Sequence, residues 1–272
     1  MMPEIDTATA ASWTELIDLL YRDSWDPALR RFRSPYVFRG MHDAAHDLSS
    51  TLLRAGRGHR DPGRLEAHLV RNFRKYAHLE AQLGRSMWNW LALAQHHGLQ
   101  TRLLDWTYSP LIAAHFVTAS LDFFDVDGVI WCINHRETNG RLPPPLRDLA
   151  QREGVDAFTG EMLDEIADSP EKLQTLSKDD FVLFLEPPSL DERIASQFAL
   201  FSVMSNPARR MDEWLAQNPA LARRIIVPAS LKWEVRDKLD QSGINERMLY
   251  PGLDGLSRWL SRYYRIRGPE SE

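Results

Sequence analysis

The sequence predicts an α+β fold in which split or mixed small β-sheets are flanked by helices. Three observations predict it. Short apolar runs rich in β-branched and aromatic residues, at 35–40, 129–133, 181–185, 198–204 and 225–227, read as strands. Stretches with apolar residues at helical spacing stand between and around them. A chain of 272 residues, 43% hydrophobic and 10% aromatic, can bury a full core. Neither a Gly/Ser linker nor a charge block separates two cores, so one domain with insertions is expected.

The elements follow in order. Ser12 and Glu15 have capping-box spacing, and Trp13, Leu16, Ile17 and Leu20 fall on one face behind them, giving a helix at about 12–22. Pro35 to Gly40 reads as a short strand with Arg39 near its end. Leu65, Leu69, Phe73, Tyr76 and Leu79 form the stripe of a helix at about 64–80. Trp88, Trp90, Leu91 and Leu93 lead into a helix that Gly98 ends as a left-handed cap, which puts His97 at its C-terminus. Leu103 to Trp106 is expected as a strand-to-helix connection. Ser109 then caps a helix with Pro110 at its first position and Ala113, Phe116 and Val117 buried.

Val129 to Ile133 is a strand, and 139–145, with three consecutive prolines, a loop. Residues 146–178 are charged and weakly helical, and are expected to be an insertion or peripheral helices. Strands at Phe181 to Leu185 and Phe198 to Met204 share one sheet, and Ile225 to Val227 is closed by Pro228. Ser230 is expected to cap a helix running through Leu239 and ended by Gly243. After a turn at Tyr250-Pro251-Gly252, the residues Leu253, Leu256, Trp259, Leu260 and Tyr263 mark an amphipathic C-terminal helix.

The net charge of −5 and pI near 6.0 leave no global positive field for non-specific nucleic-acid binding. Cys132 is the single cysteine, inside an apolar run, so no intramolecular disulfide forms and an inert core thiol in a reducing compartment is expected. The N-terminus lacks a secretory pattern, and no run approaches the roughly 20 apolar residues that span a bilayer, so a cytoplasmic protein without membrane attachment is expected.

Chemistry concentrates between Ala94 and Phe116, where His96, His97, Thr101, Arg102, Asp105, Trp106 and Ser109 sit among apolar anchors. One reading is structural: Arg102 and Asp105 make a buried ion pair and His97 caps its own helix. The other is a ligand pocket at a strand end and helix N-terminus. Arg39, between Phe38 and Gly40, is either a surface arginine or a phosphate fork beside a glycine that lets a ligand approach the backbone.

Together, Phe38-Arg39-Gly40, the block from Gln95 to Thr107, Ser109 to Phe116, Arg193-Ile194, Gln197, and the closing Gly243-Ile244, Leu249-Tyr250-Pro251 and Leu253 to Leu256 closely resemble the FRG-domain family. The resemblance covers 35–256, with an insertion at about 139–178, after an N-terminal helical segment at 1–34 and before the end of the last helix and tail at 257–272. One departure stands at Phe198, where the family tends to place a glycine, and a differently shaped backbone is expected there.

The family's layout is similar to ADP-ribosyltransferase-like folds. The resemblance implies a bacterial toxin or phage-defence effector that takes NAD as substrate and transfers ADP-ribose to a protein or nucleic-acid acceptor. By that resemblance Arg39, His97, Asp105 and Gln197 are the catalytic candidates, and Phe38, Arg39, Gly40, Thr101, Arg102, Trp106, Ser109 and Arg193 bind the nucleotide. Gln197 stands where related transferases place a glutamate, which leaves Asp105, Glu186 or Glu192 as the carboxylate. A non-catalytic nucleotide-sensing or protein-binding module, and a metal-independent hydrolase or nuclease with His97 as base, are the alternatives. No metal-ligand spacing is found.

Overall fold

A computed structural model describes residues 4–56, 59–77, 83–188 and 192–266. The strands are β1 (Asp6–Thr9), β2 (Trp25–Asp26), β3 (Arg31–Phe32), β4 (Tyr36–Met41), β5 (Leu103–Thr107), β6 (Gly128–Asn134), β7 (Val182–Leu185), β8 (Ala199–Met204) and β9 (Ala222–Val227). Seven of them form one mixed sheet in the order β1-β9-β6-β4-β5-β8-β7, while β2 and β3 pair separately. Every neighbouring pair of the large sheet is antiparallel except β1 with β9.

The helices are α1 (Trp13–Tyr21), α2 (Thr51–Ala55), α3 (Pro62–Ala77), α4 (Met87–His96), α5 (Pro110–Val117), α6 (His135–Thr138) and α7 (Pro144–Glu153). After these come α8 (Gly160–Ile166), α9 (Pro170–Thr175), α10 (Glu192–Ser196), α11 (Met211–Gln217), α12 (Lys232–Gln241), α13 (Glu246–Leu249) and α14 (Leu253–Tyr263). None of the described helices is long and apolar enough to cross a membrane. The architecture is α+β, as the strand and helix patterns predict.

Local signals act where the sequence places them. The Ser12 side chain accepts from Glu15 N–H while the Glu15 carboxylate accepts from Ala11 N–H, so both ends of the capping box are used. Ser109 caps α5 by accepting from Ile112 N–H, with Pro110 at N1. Gly98 ends α4 at φ +82 and Gly243 follows α12 at φ +77, both in the left-handed region that glycine adopts without cost.

Several expectations need correction. Leu103 to Trp106 is a strand, not a connection: it pairs with β8 from Leu103↔Val203 to Thr107↔Ala199. The proline run is a helix start, because Pro144 and Pro145 occupy the first turn of α7, where a missing N–H costs nothing. Ser230 lies in a 3₁₀ turn and α12 begins at Lys232. The expected Leu79 of α3 lies outside the described residues. Residues 1–34 hold α1 and the edge strand β1, whose polar sequence Asp-Thr-Ala-Thr is ordered by parallel pairing to β9.

The largest correction concerns 146–178. Leu146, Leu149, Phe158, Leu163 and Leu173 are buried in one cluster with Trp88, Leu91 and Leu103, so α7 to α9 are core elements. The charged residues that dominate the composition occupy the outer faces.

The core divides around the sheet. One face carries a continuous layer that includes Val37, Trp106, Trp131, Phe184 and Trp214. The opposite face carries two clusters. Leu103, Phe201 and Val203 meet α4 and α7 to α9 over the β5-β8-β7 half. Phe38, Ile130 and Ile225 meet α1, α5 and α12 over the other half. The seam between these clusters runs along the junction of β4 and β5, and that junction is weak. β4 pairs with β6 over six positions but with β5 only at Phe38↔Thr107. The sheet therefore parts between Arg39 and Asp105.

Candidate functional site

A cavity of about 660 Å³ opens at this parting, a size within the range of small-molecule sites. Phe38, Arg39, Gly40, Asp105, Trp106, Thr107, Ala199 and Phe201 line it from β4, β5 and β8. The end of α4 contributes Gln95 to Gly98, α5 contributes Phe116, and the α10 segment contributes Arg193, Ile194 and Gln197.

Arg39 explains why the ladder stops. Its Nη1 donates to the Asp105 main-chain carbonyl at 2.6 Å and lies 3.6 Å from the Asp105 carboxylate, so a side chain takes over where a backbone bond would continue the sheet. The Arg39 side chain is only one-fifth exposed, and its Nε–H is buried with no partner. Burial lowers its pKa from the usual guanidinium value while Asp105 opposes the shift. The Nε–H of Arg193 is likewise buried and unpartnered.

Asp105 is more than half exposed and receives a bond from Gln95 Nε2 at 3.1 Å. Gln95 is itself aimed by Thr101, whose hydroxyl donates to Gln95 Oε1 at 2.6 Å. Thr101 is fully buried and outside the cavity, so it reaches the site through Gln95. His97 lines the cavity beside His96, their rings 5.2 Å apart and nearly perpendicular. The Trp106 ring is anchored in the core: its N–H donates to the Ser202 hydroxyl at 2.9 Å and it meets Phe184 edge-on. Among the described residues Gln197 is tied three ways. Its N–H donates to Arg193 O, its carbonyl accepts from the Thr107 hydroxyl, and its side-chain amide donates to Leu249 O.

Thus Phe38, Arg39, Gly40, His97, Asp105, Trp106, Arg193 and Gln197 meet along one cavity, and Thr101, Arg102 and Ser109 do not line it. Arg102 does not pair with Asp105. Its Nε donates to Glu66 at 2.6 Å, Nη1 donates to Ser205 O at 3.1 Å, and both partners of the Glu66 pair are nearly inaccessible. Ser109 serves its helix cap. Glu186 lies outside the lining and accepts from the Tyr108 hydroxyl at 2.8 Å, and Glu192 opens α10. Cys132 is buried, and burial pushes its thiol up to about 11.

Gly40 has a packing use beside its place on the cavity wall. A Cβ there would lie 1.8 Å from Ala113 O, so the missing side chain lets α5 lie directly on β4. Phe198 also departs from expectation, since at φ +47 it holds the left-handed backbone that a glycine would take. Gln95, Phe116, Ile194 and Phe201 line the cavity without having been singled out. Gln95 stands in the recognised block two residues before His97, and this was the available signal for it.

Residues 34–125 match the family model of the FRG domain. The chain carries an FRG domain. No curated protein and no solved structure shows a significant match. The FRG segment supplies Arg39, Asp105 and the α4 and α5 walls of the cavity. Arg193, Gln197 and Phe201 come from beyond it.

Proposed function

We propose that this cavity binds a dinucleotide of the NAD type, and that the protein splits the bond between nicotinamide and ribose and passes ADP-ribose to an acceptor. The observation that carries the reading is the pair of arginines, Arg39 and Arg193, that line one cavity. Guanidinium forks match phosphate oxygens, and two on one cavity suit a diphosphate.

The reaction requires stabilisation of positive charge. As the ribose C1′–N bond breaks, its electron pair leaves with nicotinamide and the ribose becomes cationic. The acceptor then bonds to C1′ and releases its proton to solvent. Asp105 is the carboxylate on the cavity wall, and the Gln95 bond fixes its direction. Gln197 orients through its remaining acceptor. The parted sheet, with an arginine on β4 and a Ser-capped helix after β5, fits the ADP-ribosyltransferase-like layout.

A second reading is a binding module that performs no reaction. It is favoured by the 3.6 Å approach of Arg39 to Asp105, which offsets the charge the transition state would use. Calorimetric titration with NAD, run beside an assay for released nicotinamide, separates the two. Binding with release supports the transferase, and binding without release supports the module. Neither binding nor release overturns both.

A further inference from the structure

Two of the three cavity residues of the α10 segment, Arg193 and Gln197, have side chains that contact the C-terminal end of the chain. The Arg193 guanidinium carbon lies 5.0 Å from the Tyr250 ring centroid, and the Arg258 guanidinium carbon lies 5.3 Å from the same centroid. One residue earlier, the Leu249 carbonyl accepts from the Gln197 side-chain amide at 3.1 Å. The dipeptide Leu249-Tyr250 therefore touches both Arg193 and Gln197, although neither Leu249 nor Tyr250 lines the cavity.

This dipeptide is itself rigidly fixed. Tyr250 N–H donates to Glu246 O at 2.9 Å, closing α13. Arg262 of α14 bridges Glu246 and Asp240 with four bonds of 2.6 to 2.8 Å. Gly255 brings α14 against the turn so closely that a Cβ would stand 1.8 Å from Tyr250 O. Movement of the ring is thus coupled to α12, α13 and α14 together.

We infer that Tyr250 is a positioning residue for the cavity: its ring holds the Arg193 guanidinium toward the bound anion while the adjoining carbonyl aims Gln197. The inference rests on the nucleotide reading above and adds an element of the C-terminal half to it. A ring face attracts a guanidinium without using its N–H groups, so the stack on Tyr250 does not occupy the Arg193 donors. A carboxylate partner in the same place would occupy them.

The test measures NAD and ADP-ribose affinity by calorimetry, with melting temperatures, for wild type, Tyr250→Phe, Tyr250→Leu, Arg193→Ala and the Tyr250→Leu/Arg193→Ala double variant. The phenylalanine keeps the ring and is expected within about twofold of wild type. The leucine keeps bulk without a π face, and its binding is expected to weaken roughly five- to thirtyfold. In the Arg193→Ala background the leucine should weaken binding no further, a result that a purely structural role of the tyrosine would not give. Tyr250→Met is read in its place should the leucine variant melt early.

Wild-type binding with an unaffected leucine or methionine variant, or an equal loss with and without Arg193, overturns the positioning role and leaves the nucleotide reading intact. Absence of wild-type binding to either ligand overturns the nucleotide reading and this inference with it.

Discussion

At Arg39 a strand gives up its ladder to a side chain, and the same guanidinium that ends the β4–β5 pairing faces the cavity this creates. Arg102 spends its charge differently. It is buried against Glu66, so Glu66→Ala leaves an uncompensated cation in the core and should destabilise the fold by about 3–5 kcal/mol in denaturant unfolding. A loss below about 1 kcal/mol would mean that the pair is hydrated. At Phe198 the side chain is 59% exposed and the backbone is left-handed, a conformation that costs an L-residue roughly 1–2 kcal/mol. Phe198→Gly is expected to raise the melting temperature slightly, and a fall would show that the ring contributes more than its exposure suggests. Neither the Arg102 partner nor the Arg39 contact is visible from local pattern. Glu66 stands 36 positions from Arg102, and Asp105 stands 66 from Arg39. The sequence offered Asp105 as the natural neighbour of Arg102, and folding assigned it to Arg39.

Among the elements, α5 shows how a motif can be legible while its packing is not. Ser109 and Pro110 announce the helix, but nothing local shows that the glycine of the tripeptide also admits that helix to β4, with Ala113 O where a Cβ would go. Gly40→Ala must push α5 away, and a loss of about 1–3 kcal/mol is expected from chemical denaturation, together with weaker NAD binding because Phe116 moves with α5. An unaltered alanine variant would contradict the packing described. β4, β6, β7, β8 and β9 were readable because apolar β-branched runs leave little choice, whereas β5, expected as a connection, and β1 were not; the polar residues of β1 are ordered by their β9 partner. The helices α7 to α9 were underestimated for the opposite reason. Their many charges hid a buried stripe that includes Leu146, Leu149, Leu163 and Leu173.

Across the whole molecule, the C-terminal half is joined to the FRG segment by a buried polar network. Arg236 donates to His115 Nδ1 at 2.7 Å, so the imidazole is the acceptor, and burial followed by the Arg236 charge lowers its pKa to about 3. Burial pushes the Glu246 carboxyl up, but bonds from Arg262 and the backbone outweigh it and bring it down to about 2. Both groups bind fewer protons folded than unfolded, so stability should rise with pH across the interval. It is lost as pH falls from about 6.5 toward 3 through His115, and from about 4.5 toward 2 through Glu246. Urea unfolding against pH should show this slope, and His115→Gln should flatten the part between pH 6 and 4. A slope unchanged by the substitution would place the acid sensitivity elsewhere. The common cavity was legible as a resemblance spread over distant motifs, Tyr250 among them, and only the tertiary arrangement supplied the contact of Tyr250 with Arg193 and the parted sheet. The central claim is that Arg39 and Arg193 grip one ligand anion, and a double-mutant cycle on ADP-ribose binding tests it most directly. Arg39→Ala and Arg193→Ala should each weaken binding by about 1.5–3 kcal/mol, and the double variant should differ from their sum by more than about 0.5 kcal/mol. Strict additivity, or full affinity in either single variant, would contradict it.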